Sequence, residues 1–148
     1  MKHAPHLAGL LSGLTLCAAN AMAAVIAPDP GTGLSEAVRR GDVAAVKNLL
    51  RQRIDVSAAE GDGSTPLHWA AYGDHLDLAR LLLKAGANVH ATTRLQGETT
   101  LHMAVQSGNA DLVRLLLKHG AAPHQANTLG TTPLMMAAAA GDPETIVV

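Results

Sequence analysis

The tetrapeptide Thr65-Pro66-Leu67-His68 returns as Thr99-Thr100-Leu101-His102 and again as Thr132-Pro133-Leu134-Met135, at intervals of 34 and 33 residues. A fixed period of this size makes each copy one supersecondary unit, with units stacked on their neighbours rather than folded about one centre. In register the likeness runs well past the tetrapeptide. Gly63–Ala91 lies over Gly97–Ala126 and then over Gly130–Val148, and Leu34–Ala58 fits the same frame without its opening turn.

Each recurring residue has a local reason. Thr65, Thr99 and Thr132 can cap a helix through their hydroxyls, and Pro66 and Pro133 suit the first helical position, where a missing N–H costs nothing. Ala70-Ala71, Ala104-Val105 and Ala137-Ala138 carry little bulk, so a neighbouring helix can come close. Gly41, Gly108 and Gly141 break the first helix of each copy, with Asp74 at the matching place. Asp42, Asn109 and Asp142 then cap a second helix, and Pro143 sits one residue inside the last of these. The second helices carry Leu78, Leu81 and Leu82, then Leu112, Val113, Leu115 and Leu116, at the spacing of one buried face. Gly86 and Gly120 end them in the left-handed conformation. Arg53 stands at that place in the first copy, which predicts a strained helix end. Asp77/Arg80 and Asp111/Arg114 read as solvent-side i, i+3 pairs, contributing about 0.2–0.5 kcal/mol each. The fold class that follows is all-α.

This pattern resembles the ankyrin repeat, whose period is about 33 residues with a T-P-L-H-x-A signature. The resemblance covers residues 34–148 and implies a solenoid of helix-turn-helix units with β-turn or hairpin tips. The units are an N-terminal cap repeat at 34–59, repeats at 60–93 and 94–126, and an incomplete one at 127–148. It implies that His68 and His102 hydrogen-bond the backbone of the turns. It also implies a protein partner, held by the turn tips and by the outward positions of the first helices. Carried over residue by residue, the tips are Gly61, Asp62 and Ser64, then Leu95, Gln96 and Glu98, then Thr128, Leu129 and Thr131. The helix positions are Arg39 and Arg40, Trp69, Tyr72 and Gly73, Gln106 and Ser107, and Ala139 and Ala140. Tyr72 is the foremost contact candidate, while Trp69 divides evenly between packing and binding. The Thr92–Gln96 link holds one residue more than its counterparts, which leaves the tip at Leu95 less well placed.

The first 23 residues carry a separate instruction. Met1-Lys2-His3 is a short positive start, Leu7–Ala19 is an apolar run of 13, and Ala21-Met22-Ala23 is the small-x-small pattern of a cleavage site. The run is too short to span a bilayer as a helix, so the expectation is a cleaved secretory leader and a periplasmic or secreted chain of a bacterial exported kind. Leu16 before Cys17 argues against a lipoprotein signal. Cleavage after Ala23 leaves no cysteine, hence no disulfide or thiolate. Residues 24–33, rich in Pro and Gly, read as a linker. At the other end, Thr145-Ile146-Val147-Val148 opens a second helix without the Leu-Leu step that packs it. Terminal repeats carry a polar outer face; the expectation is an amino-terminal fragment of a longer protein or an incomplete gene product. The alternative to a binding module is a structural or targeting arm of a larger exported protein, or a secreted effector, with its activity beyond Val148.

Other function classes find little footing. The formal net charge is −1, and no basic run stands out, so neither nucleic acid nor, after leader cleavage, a membrane is an expected partner. Six histidines remain beyond the leader, but His90 and His124 share a register in adjacent repeats, too far apart to close easily on one zinc ion. No HExxH motif or Cys pair accompanies them. Asp62, Ser64 and His68 crowd one turn, yet cap and turn roles explain them, and no nucleophile elbow or phosphate loop is present. The expectation is no enzyme, no metal and no cofactor.

Overall fold

The computed structural model describes residues 30–146. The leader, most of the linker and the last two valines lie outside this range. Eight helices follow in order: α1 (Pro30–Arg39), α2 (Val43–Arg51), α3 (Pro66–Tyr72), α4 (Leu76–Lys84), α5 (Thr100–Ser107), α6 (Ala110–Lys118), α7 (Pro133–Ala140) and α8 (Pro143–Ile146). Among the described residues no strand forms; the sole β pairing is an isolated antiparallel bridge between Thr92 and Thr99. Helix α1 begins at Pro30, inside the stretch read as linker, because a proline is tolerated in a first helical turn.

None of these helices exceeds ten residues, a length marginal in water without tertiary support. Support comes from stacking. First helices α1, α3, α5 and α7 form one row, and second helices α2, α4, α6 and α8 form another behind it. Leu34, Leu67 and Leu101 occupy equivalent places in the first row and are buried, as are Leu82 and Leu116 in the second. Ala37, Ala70, Ala104 and Ala137 line the close approach between first helices. Leu134, the fourth copy of that first-row leucine, remains 39% exposed, since no further helix pair covers it among the described residues.

The second-helix caps form as expected. Asp42 Oδ1 accepts from Ala45 N at 2.9 Å, and Asn109 Oδ1 accepts from Leu112 N at 3.0 Å. Arg53 takes φ +55°, the left-handed conformation that Gly86 and Gly120 adopt in later copies. For a residue with a Cβ this costs roughly 1 kcal/mol or more. Asp74 also takes a left-handed φ of +58°, but its short carboxylate accepts a hydrogen bond from Asn109 Nδ2, which offsets the strain. Of the two expected i, i+3 ion pairs, Arg114–Asp111 closes at 3.1 Å. Arg80 and Asp77 do not pair; an exposed pair offers too little energy to hold two long side chains in one geometry.

Candidate functional site

The tips are built from backbone outward. Glu60 N–H donates to Ser64 O (2.8 Å) and Asn127 N–H to Thr131 O (2.9 Å), each closing a short turn through Gly63 and Gly130. In the middle tip the equivalent bond runs from Thr93 N–H to Glu98 O at 3.0 Å, and Gly97 N–H reaches back to Thr93 O. The extra residue of that link therefore lies wholly inside the turn. Gly63 has no alternative: at φ +85°, a Cβ there would stand 2.9 Å from Arg94 N. Consecutive tips are joined. Arg94 N–H donates to Asp62 O at 2.8 Å, and Thr128 donates from its N–H and Oγ1 to Gln96 O at 2.9 and 3.0 Å.

Two histidines tie tips to helices. Thr65 N–H donates to His68 Nδ1 at 3.1 Å, and Thr99 N–H to His102 Nδ1 at the same distance. An amide N–H can only donate, so each Nδ1 accepts and the ring proton resides on Nε2. From there His68 donates to Glu98 O (3.3 Å) and His102 to Thr131 O (3.0 Å), each bond crossing to the next tip. The threonine caps vary in detail. Thr99 and Thr132 hydroxyls accept from the amides of His102 and Met135, whereas the Thr65 hydroxyl sits 2.9 Å from His68 Nδ1. Burial pushes His68 below the ordinary histidine pKa, against opposing pulls from the Glu98 carbonyl and the Asp62 charge. Asp62 is itself held below the usual carboxylate range, chiefly by the Ser64 amide and also by the Ser64 hydroxyl.

On the helix side of the same face, Trp69 is half-buried beneath Arg39, whose guanidinium carbon lies 3.8 Å from the ring centroid. Glu60 fixes that guanidinium at 2.6 Å. Tyr72 stands edge-on to Trp69, with centroids 6.2 Å apart and planes at 85°. Offset and edge arrangements of this kind are the favoured aromatic geometries. Trp69 Nε1 is buried and finds no hydrogen-bond partner among the described residues. Tyr72 is 64% exposed.

The structure sorts the sequence candidates. Arg39, Arg40, Asp62, Tyr72, Gln96, Gln106, Ser107, Thr128 and Leu129 are exposed on this face. Ser64 is not available: it is buried, with its hydroxyl spent on Asp62 Oδ2 at 2.9 Å. Glu98 and Thr131 are half-buried, and their carbonyls are the histidine acceptors. Ser107 turns its hydroxyl back onto Ala104 O. Leu95, on the tip whose placement the spacing left open, is 83% exposed, and Leu129 on the next tip is exposed as well. Both nitrogens of His68 are engaged, so neither is free to take a proton from Ser64. Among the described residues no group of three or more His, Cys, Asp or Glu side chains could hold a metal ion, and no helix is long and apolar enough to cross a membrane.

Comparison with known proteins follows the same frame. A family profile described as "Ankyrin repeats (many copies)" matches residues 34–83 and again 67–117, together more than half of the 148. Ankyrin repeat domain-containing protein 49 of Bos taurus is 42% identical over 66 residues, 44% of this chain and 28% of that protein. Palmitoyltransferase akr1 of Schizosaccharomyces pombe is 41% identical over 56 residues, 37% of this chain and 9% of its own length. The 2-5A-dependent ribonuclease of Mus musculus is 42% identical over 60 residues, 40% of this chain and 8% of its own. This chain thus spans under a third of the length of the relatives it matches, and what they share with it is the repeat. The period, the capping histidines and the stacked helix pairs agree with that match, and the chain belongs to the ankyrin-repeat family.

Proposed function

We propose that this chain is the protein-binding module of an exported ankyrin-repeat protein, with the partner held on the face formed by the tips and first helices. The observation that carries the reading is the Tyr72 side chain, exposed yet braced by Trp69, which Arg39 and Glu60 in turn hold. A rigid aromatic group presented in this way contributes contact area at low entropic cost, and tyrosine is enriched among the residues that dominate binding energy. Leu95 and Leu129 extend the surface along the tips, with Gln106 one repeat on from Tyr72.

Alanine at Tyr72 is expected to weaken partner capture by about tenfold or more, the scale of an interface anchor. Gln106→Ala should weaken it less. Neither side chain supports the core, so the thermal midpoint should stay within about 4 °C of the parent's, the scale of a surface change. Capture that survives both substitutions would place the binding face elsewhere.

The export half of the reading rests on the leader composition of residues 1–23. Mass measurement of the purified mature chain should give an amino terminus at Ala24. A product that retains Met1 would remove this half while leaving the binding face untouched.

A further inference from the structure

The second helices carry a charge pattern that the chain's net charge conceals. Lys47, Arg80 and Arg114 occupy one register position on α2, α4 and α6, and Arg51, Lys84 and Lys118 occupy the position one turn later. All six are exposed. The three helices carry only two carboxylates, Asp77 and Asp111. Elsewhere between residues 30 and 146 the balance is reversed, with four Lys and Arg against nine Asp and Glu. Among the described residues, the only ion pair made by any of the six is Arg114 with Asp111.

The grid is shaped as well as charged. Between α2 and α4 lies a shallow cleft of about 290 Å³, lined by Val43, Lys47, Asp77, Arg80, Leu81 and Lys84. Between α4 and α6 a matching cleft of about 330 Å³ is lined by Arg80, Asp111, Arg114, Leu115 and Lys118. Arg80 serves both. The clefts repeat with the helices, roughly 10 Å apart.

We propose that this outer row is a second docking surface, for an acidic polypeptide segment whose carboxylates recur every third residue. A polyproline II chain rises about 3.1 Å per residue with three residues per turn, so every third side chain returns to one face at about 9.3 Å. That repeat matches the cleft spacing and sets successive carboxylates against successive clefts. A lipid surface fits less well, because interfacial binding couples cations to several inserted apolar groups. Here Leu81 and Leu115 are half-buried in the cleft floors, with Val43 alone exposed at the edge of the first cleft. Nucleic acid fits less well too. No aromatic side chain stands on these helices to stack a base, and Asp77 and Asp111 would oppose phosphates. In a peptide complex the same two carboxylates can accept backbone N–H groups.

The test is fluorescence anisotropy of the purified chain with a labelled peptide of four Glu-Pro-Pro repeats. Its control is a peptide of identical composition with its four glutamates at alternate positions, so that no two stand three residues apart. Arg80→Glu should lower affinity for the repeating peptide by about tenfold, a change in a cation shared by both clefts. Arg94→Glu, on a tip, should leave affinity unchanged, and the alternating peptide should bind more weakly than the every-third one. Raising salt from about 50 to about 300 mM should weaken binding through screening. Equal affinity of the parent and Arg80→Glu chains would overturn the proposal. So would tighter, Arg80-dependent binding to phosphatidylserine vesicles or to a single-stranded oligonucleotide. Circular dichroism of each variant separates lost binding from lost folding.

Discussion

Leu101→Ala should lower stability by about 3 kcal/mol, the usual loss for a fully buried leucine that leaves a cavity. Leu134→Ala, the same leucine one repeat later, should cost about 1–2 kcal/mol, because part of that side chain is already in water and less transfer energy is lost. The contrast is built into the stack. Leu101 lies on α5 between α3 and α7, whereas among the described residues the row of first helices continues on one side of Leu134 only. A cavity at Leu101 weakens two interfaces at once, and repeat proteins are held by just such nearest-neighbour terms. Urea titration followed by circular dichroism gives both values. It should also show a shallower transition for Leu101→Ala as the repeats on either side uncouple. Equal losses at the two sites would mean that burial in this row does not govern stability.

The histidine at position 68 is the second large lever. His68→Ala is expected to cost about 2–4 kcal/mol: it orphans the Thr65 N–H, worth about 1–3 kcal/mol when left unpaired, and leaves a cavity where the fully buried ring stood, while the Glu98 carbonyl keeps its bond from the Thr93 amide. The same side chain makes the fold acid-sensitive. In the folded chain the neutral ring is favoured, since burial opposes its charge and Nδ1 must keep its lone pair for the Thr65 amide. The unfolded chain takes up that proton near pH 6.5. The unfolded state therefore binds more protons below this value, and stability falls with pH. The contribution is complete above about pH 6.5 and declines as the pH drops towards the depressed folded value. Asp62 adds a separate loss only below about pH 3.8, again because its folded pKa is lowered. Thermal melts between about pH 7.5 and 5.5 should thus show a falling midpoint, and His68→Gln should flatten the slope across the interval above the carboxylate range. An unchanged slope in that variant would show that the His68 proton does not couple to folding.

Much of this was legible in the residues because the period repeats the same local chemistry. Helix pairs, caps, glycine breaks and the two bridging histidines each follow from one short motif, read several times over. The candidate face was less legible, because it depends on which polar groups the tips consume. Ser64 has the look of a surface hydroxyl until Asp62 is seen to accept from both its amide and its hydroxyl. The extra residue near Leu95 left the tip uncertain, since spacing alone does not say where a turn absorbs an insertion. The paired rows of cations are hidden in the sequence for a different reason. Their members lie 33 or 34 residues apart, so no window along the chain gathers them and the net charge averages them away. Only the stacking of α2, α4 and α6 brings them together.

The longer middle turn has a consequence for how such a molecule can change. Thr93 and Glu98 still bond across it, Arg94 and Gln96 still clasp their neighbours, and the helices on either side keep their register. Added length is swallowed at the tip, where lengthening a closed loop costs only a fraction of a kcal/mol per residue. Evolution and protein engineering alike can therefore graft new recognition loops at these positions while the helical scaffold behind them stays fixed.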